Sequence, residues 1–366
     1  MPQVGKPVTG KELVGRENEI SLLMEYLQMG QSVVLVAPRR FGKTSLVLEA
    51  LTRLKKNNYY TAYVDVFANP TLGLLSSTIT AEVLKNHKLH QQFEIAKSSA
   101  VKLMQNIKLK TVLDDFQFII GFADETKNEW ELISESIDFV DDFSKKHHKK
   151  TVCAYDEFGD IGKFDPKGSL VKLFRSKIQQ HENCTYIFSG SYETVMKNMF
   201  ISSKSPFYRL ARIIRLGFID KGILSNHLDD RFKQLKISVP NSFSEKIVEY
   251  TLGHPYYAQL AFQQTVLMNA MEGSVPTPEK LLKQMIAVEK DYLEKVWEDI
   301  STNREYIYTL KTIAESGENI YKKLKPRKIN VARAIKNLEG MGLLFKSETK
   351  GYYLSDPLLK YWILKH

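Results

Sequence analysis

The sequence predicts an α/β fold in which a parallel sheet flanked by helices comes first and helical segments close the chain. Three observations predict it. Short runs of apolar, mostly β-branched residues, such as Val33-Val34-Leu35-Val36 and Val152-Cys153-Ala154-Tyr155, read as strands covered on both faces, the habit of parallel sheets. Between such runs lie stretches with apolar residues at helical spacing, as parallel crossovers require. Finally, 366 residues exceed one small core, and the pattern changes at Lys221 and again near Thr302. Three domains are therefore expected, over 1–220, 221–300 and 301–366.

Taken in order, Leu13-Val14-Gly15-Arg16-Glu17-Asn18-Glu19-Ile20 runs into a helix carrying Ile20, Leu22, Leu23, Tyr26 and Leu27. The strand Val33–Val36 passes into Ala37-Pro38-Arg39-Arg40-Phe41-Gly42-Lys43-Thr44-Ser45 and then a helix marked by Leu46, Ala50, Leu51 and Leu54. Strand, loop and helix in this order make a P-loop, whose backbone N–H groups wrap a polyphosphate at a helix N-terminus. Lys43 is placed to neutralise the β- and γ-phosphates, and the Thr44 hydroxyl to ligate Mg²⁺. Ala37 stands where the strict pattern has glycine and so demands an ordinary backbone angle; Gly42, which lets the chain pass close to the phosphates, is present. The leading segment around Val14 can cap the adenine.

A second strand, Tyr60 to Phe67, ends at Asn69-Pro70. Thr71 to Lys108 reads as helical and amphipathic, and the alternation from Leu109 to Phe122 suggests an inserted hairpin with Asp114-Asp115 near its turn. The next helix, Asn128 to Lys150, has an apolar face of Trp130, Ile133, Ile137, Val140 and Phe143 and a basic run at its C-terminal end, where cations suit the helix dipole. Thr151-Val152-Cys153-Ala154-Tyr155-Asp156-Glu157 then reads as a Walker B strand. It sets Asp156 at the carboxyl end beside the P-loop, able to hold Mg²⁺ through a water or directly. Glu157, one position further out, can orient and polarise an attacking water. After a helix over Leu170 to Gln180, the strand Thr185-Tyr186-Ile187-Phe188-Ser189-Gly190-Ser191 ends in small polar residues, so that Ser189 or Ser191 can sense the γ-phosphate. The basic segment Tyr208 to Arg212 leads to the last core strand, Ile213 to Leu216.

From Lys221 to about Ile300 helices alone are expected, with Gly253-His254-Pro255 separating two amphipathic runs as glycine closes one helix and proline opens the next. Beyond Thr302, helices at Arg304 to Glu315, Ile320 to Leu324 and Asn330 to Glu339 precede a hairpin turning at Glu348-Thr349-Lys350-Gly351. Three helices and a hairpin make a winged helix-turn-helix. On duplex DNA, Asn330 to Asn337 would be its recognition helix, with Arg333 and Lys336 toward the groove and Lys346 or Lys350 on the wing.

Composition bounds the function. Hydrophobic residues make up 43% and charged residues 26%, the balance of a soluble globular protein and not of a disordered one. No apolar stretch approaches the ~20 residues of a membrane span, and the first six residues lack the apolar core of a signal peptide, so a cytoplasmic location is expected. Cys153 and Cys184 sit in apolar strand-like runs and read as core residues, and His147-His148 lies in a solvated lysine-rich helix end, which points away from disulfide or zinc frameworks. The net charge of +10 is concentrated: Glu318 to His366 holds eleven Lys or Arg against four Asp or Glu. Such a basic module suits nucleic acid or simply keeps a small domain soluble.

These motifs, in this order, resemble the archaeal-type ATPases of the STAND branch of AAA+ proteins, over nearly the whole chain. Val14-Gly15-Arg16-Glu17 is similar to that family's N-terminal nucleotide-contacting element, and Pro38-Arg39-Arg40-Phe41-Gly42-Lys43-Thr44-Ser45 to its basic P-loop. Tyr155-Asp156-Glu157-Phe158 resembles its Walker B element, Ser189-Gly190-Ser191 its sensor strand, and Gly253-His254-Pro255 the lid motif that packs on adenine. Ser355-Asp356-Pro357-Leu358-Leu359-Lys360-Tyr361-Trp362 is similar to its ending. The resemblance implies a five-stranded parallel core, a helical lid over ATP or ADP, and a winged helix that moves with nucleotide state. Signalling relatives carry an arginine straight after the sensor strand, where Tyr192 and Glu193 stand here; phosphate sensing then falls to Arg209 or Arg212.

The expected activity is an ATP-driven switch. P-loop amides, Lys43, and Mg²⁺ on Thr44 and Asp156 hold the nucleotide while Glu157 activates water. Turnover is expected to be slow, because an arginine supplied by a neighbour can change such rates by roughly 10³ to 10⁵. A DNA-binding regulator with ATP as a structural ligand is the competing reading, and a winged helix that docks a protein partner is a third. Nucleotide-dependent homo-oligomers are compatible with all three.

Overall fold

The computed structural model describes residues 4–86, 128–165, 167–191, 193–203, 205, 207–316, 318–346 and 351–365. The hairpin expected over Leu109 to Phe122, the later part of the helical stretch before it, Tyr192 and the wing turn with Lys350 lie outside these residues.

Five strands form one parallel sheet: β1 (Val33–Val36), β2 (Tyr60–Asp65), β3 (Thr151–Asp156), β4 (Cys184–Gly190) and β5 (Arg212–Arg215), in the order β2-β3-β4-β1-β5. Every residue of β1 and β3 is buried, as the continuous apolar runs require of central strands. Leaving α1 (Glu17–Gln28) and α2 (Lys43–Lys56), the chain packs Leu23, Leu27, Leu46, Ala50 and Leu54 with Leu35, Ala154 and Ile187 on one face. The other face is covered by α3 (Leu72–Leu84), α4 (Glu129–Lys146) and α5 (Ser169–Ile178), whose Leu75, Ile79, Ile137, Val140 and Phe174 meet Tyr155, Tyr186 and Phe188. Thr71 and Asn128 accept the N–H of Leu74 and Glu131, satisfying donors at the starts of α3 and α4. A short helix, α6 (Glu193–Phe200), follows β4.

Beyond the sheet come α7 (Lys221–Gln234), α8 (Phe243–Thr251), α9 (Pro255–Glu272), α10 (Pro278–Val288) and α11 (Lys290–Ser301). They are followed by α12 (Arg304–Glu315), α13 (Ile320–Leu324), α14 (Val331–Gly340), the antiparallel pair β6 (Leu344–Lys346) and β7 (Tyr352–Leu354), and α15 (Pro357–Lys365). All of these share one hydrophobic cluster, running from Ile219 through Leu260, Leu293, Leu310 and Leu338 to Trp362 and Ile363. Helix α14 also packs against α6 of the sheet region. No helix among the described residues is long and apolar enough to cross a membrane.

Candidate functional site

Parallel strands deliver their successors to one edge, and here the carboxyl ends of β1, β3 and β4 bring three loops together. The loop after β1 is bent by two left-handed residues, Arg40 (φ 66°) and Gly42 (φ 88°). A Cβ on Gly42 would meet nothing within 4 Å, so glycine is required there by backbone angle and not by space. The turn hands over to α2, whose first residues are Lys43 and Thr44.

Lys43 is buried, and its ammonium donates to the carbonyls of Ala37 and Pro38 (both 3.1 Å) and to Ser191 Oγ (2.9 Å). Burial pushes it down to about 8, against the opposing pull of Glu157 and Asp156. Ser191 in turn donates its N–H (3.0 Å) and its hydroxyl to the Glu157 carboxylate. A continuous chain thus runs from the P-loop lysine through the strand end to the acid expected to hold water. Glu157 itself takes a left-handed backbone (φ 48°).

Asp156 is buried and accepts the Thr44 hydroxyl (2.7 Å), the Tyr63 hydroxyl (2.9 Å) and the Ser189 hydroxyl. Thr44 and Asp156 within hydrogen-bond reach, lined up beside a phosphate-wrapping loop, form the oxygen donor set that a hard cation such as Mg²⁺ takes. Ser189 thus supports the Asp156 carboxylate while Ser191 meets Lys43, so the two serines are distinct in role. Tyr63 escaped sequence reasoning because its reach to Asp156 depends on β2 lying beside β3. Burial and then Asp156 hold its phenol far above the ordinary range.

A cavity of about 400 Å³ extends from this edge, lined at one end by Arg39, Arg40, Phe41, Gly42, Lys43, Thr44, Ser45, Glu157 and Ser191. Its far end is apolar, with Leu13, Val14, Ile219, Leu224, Leu228, Pro255 and Phe262, edged by His227, Arg231 and Gln259. Polar, basic and apolar ends in this order match a triphosphate carrying a base. The N-terminal strand of chain closes one side: Val8 N–H donates to Ser45 Oγ (3.0 Å) and Gly10 N–H to Glu49 (2.7 Å). His227 and Arg231 were not singled out in the sequence, since nothing local on α7 marks which face meets the cavity.

Two glycines make the junction between sheet and helices possible. A Cβ on Gly15 would stand 2.4 Å from Ile219 Cγ2, and one on Gly253 would stand 2.2 Å from the Ile219 carbonyl oxygen. The bare backbone of Gly15 thus makes room for Ile219, between Val14 and Arg16, which line the cavity. Arg16 reaches the cavity wall, yet its guanidinium is engaged by Glu19 (2.8 Å) and by the carbonyls of Phe41 (3.2 Å) and Gly217 (2.6 Å), tying the N-terminal element to the P-loop.

The arginines assigned to phosphate sensing require a correction. Arg212 pairs in register with Val33, the first residue of β1, and Leu210 accepts the side chain of Gln31, which precedes β1. Arg209 and Arg212 therefore stand at the amino edge of the sheet, about 10 Å of strand below the P-loop, and neither lines the cavity. Arg209 lies exposed with its guanidinium 5.1 Å from the Tyr208 ring. Basic character drew attention to them; strand register decides against them.

On its outer side the P-loop meets the C-terminal helices. Arg40 Nη1 donates to Glu289 (3.1 Å) and its guanidinium lies 4.2 Å over the Tyr256 ring and 5.3 Å from that of Tyr292. Phe41, fully buried, packs on His254 (4.6 Å), Phe218 (5.2 Å) and Phe345 of β6 (6.2 Å). Burial pushes the His254 imidazole down to about 3, so it stays neutral, and its Nδ1 has no hydrogen-bond partner among the described residues.

Comparison with known proteins agrees with this geometry. Residues 13–260 match the family described as an ATPase domain predominantly from Archaea. The fold is similar to that of the Walker-type ATPase paby2304 of Pyrococcus abyssi, with a TM-score of 0.69 and 18% identity, covering 99% of both chains. It is also similar to the ORC2 protein of Aeropyrum pernix, solved as ADPNP-ADP complexes, with a TM-score of 0.59 and 15% identity over 98% of this chain and 94% of that one. A search of curated proteins by sequence finds no match.

Proposed function

Because the chain belongs to the family of ATPase domains found predominantly in Archaea, and is thereby a P-loop ATPase of the AAA+ kind, we propose that it works as an ATP-driven switch. In this reading an ATPase core over 1–220 binds ATP, a helical lid over 221–300 closes on it, and a winged-helix module over 301–366 changes position with nucleotide state.

The observation that carries the reading is the double attachment of the P-loop. Lys43 and Thr44 meet Ser191 and Asp156 at the strand ends, while Arg40 and Phe41 of the same loop face Glu289, His254 and Phe345. A loop gripped from both sides cannot change its phosphate contacts without changing its contacts to the helices. Lys43 would neutralise the triphosphate, and Thr44 with Asp156 would hold Mg²⁺, which supplies charge stabilisation of the transferring phosphoryl group. Glu157, aimed by Ser191, would take the proton of the attacking water. Loss of the γ-phosphate would leave the Lys43 ammonium to Ser191 and to the Ala37 and Pro38 carbonyls, a population shift driven by differential contacts.

The switch is tested by small-angle X-ray scattering with ADP and with a non-hydrolysable ATP analogue, each with magnesium, alongside size-exclusion chromatography. Different scattering profiles are expected. Identical profiles with both nucleotides bound would remove the switch.

For the winged-helix module, docking of a protein partner is favoured over duplex DNA by one contact: Arg333, which would face the groove, already gives its guanidinium to Glu305 (2.8 Å). Lys336 remains exposed.

A further inference from the structure

The polar contacts of Arg40 do not stop at the lid. Glu289 is buried at the joint between α10 and α11, and it accepts both Arg40 Nη1 (3.1 Å) and the Tyr256 hydroxyl (2.6 Å). The next residue, Tyr257, donates its hydroxyl to Asp356 (2.5 Å). Asp356 is buried as well, faces the Tyr292 hydroxyl, and accepts the N–H of Leu358 (2.8 Å) and Leu359 (3.2 Å), capping α15. Burial first, and then the nearby charge of Glu289, hold the Asp356 carboxyl above its ordinary range. Among the described residues, Arg40 is the cation within 4 Å of Glu289.

Glu289, one of two neighbouring buried carboxyl groups, thus rests on a guanidinium that belongs to the phosphate loop. That guanidinium gives Glu289 a single hydrogen bond, with its side chain 44% exposed in the cavity wall. Arginine binds phosphate bidentately and more strongly than it binds one carboxylate oxygen. A buried charge deprived of its partner is costly and is relieved by admitting water.

Resting on the switch reading above, we propose that Arg40 is a positioning residue that trades Glu289 for the polyphosphate. The trade leaves Glu289 without a cation beside the second buried carboxyl, Asp356, which loosens the α10–α11 joint and the cap of α15 that rests against it. The triphosphate thereby acts on the C-terminal helices by removing a charge from their midst. Neutralising Glu289 removes the driving force while keeping the shape, because glutamine can accept from Arg40 through its carbonyl oxygen and donate its amide N–H to the Tyr256 hydroxyl oxygen.

The test is hydrogen exchange of the amides from Glu289 to Ser301 and at Leu358 and Leu359, with and without a non-hydrolysable ATP analogue and magnesium, on the full chain. In the parent, the analogue should speed exchange there about tenfold or more. In Glu289→Gln the response should fall below about twofold, with the analogue still bound by calorimetry. Arg40→Gln should show fast exchange without nucleotide, since its Glu289 never has a cation. A Glu289→Gln protein that responds like the parent, or an Arg40→Gln protein that is protected like it, would overturn the trade. A parent whose exchange and scattering both ignore the nucleotide would instead defeat the switch reading itself.

Discussion

The inner and outer sides of the P-loop differ in the origin of their partners. Lys43 and Thr44 meet groups from strand ends of the same sheet, Ser191 and Asp156, whereas Arg40 and Phe41 meet groups contributed by helices and a hairpin far along the chain. The inner side is chemistry shared by any P-loop; the outer side belongs to this arrangement of helices. The difference teaches that binding a phosphate and announcing it are assigned to neighbouring residues, so substitutions should separate the two.

The sharpest separation should come from Glu157→Gln. Removing the carboxylate that would accept a proton from water is expected to lower the rate of ATP hydrolysis by about 10² to 10⁴, while nucleotide affinity measured by calorimetry stays within a few fold. Hydrolysis at the parental rate would place the catalytic base elsewhere and break the inner half of the comparison.

A smaller effect follows from the low pKa of Lys43. A triphosphate favours the charged ammonium, so the contribution of Lys43 to affinity is complete below about pH 8 and is lost as pH rises through that value. Affinity for ATP should be level from pH 6.5 to 7.5 and fall toward tenfold per pH unit above about 8, as one coupled proton dictates. Calorimetry across that range checks it, with Lys43→Arg, whose group does not titrate there, expected to flatten the curve.

The outer side should respond more weakly. Phe345→Ala removes ring contacts to Phe41 and Phe218, and aromatic pairs contribute about 0.5–1.5 kcal/mol each beyond the area they bury. Urea unfolding should show a loss of roughly 1–3 kcal/mol, with ATP hydrolysis reduced less than threefold. The smallest effect is expected from Arg209→Ala: less than a twofold change in ATP affinity, because that residue sits at the opposite edge of the sheet. A large change there would reinstate it as a phosphate contact and would require the neighbouring copy to supply it.

How much of this was legible in the sequence follows the same division. The strands, the P-loop and the acidic strand end were readable because each motif packs its chemistry into a few consecutive residues, and the covered apolar runs of β1 and β3 fix their place in a parallel sheet. The Lys43–Ser191–Glu157 chain was readable in outline, since strand ends of such a sheet converge. Arg40 and Glu289 lie 249 positions apart, and no local pattern joins them. Tyr63 depended on which strand neighbours β3, and Arg209 on register, which sets the edge a residue occupies independently of its charge. The room that Gly15 makes for Ile219 lies 204 positions along the chain and left no mark in the local sequence. Helix α14, expected from Asn330, begins at Val331 with Asn330 as its cap, the side chain accepting from Arg333 N–H (3.0 Å).

The hydrophobic cluster that runs without interruption from Ile219 to Ile363 carries a practical consequence. A shortened protein ending near residue 300 would present to water the greasy flank of α8 and α11 that α12 and α15 cover. Such a fragment should clump or pair with its own kind. Anyone wishing to handle the nucleotide-binding half by itself would do better to sever the chain ahead of Ile219, where the sheet ends and that shared interior has not yet begun.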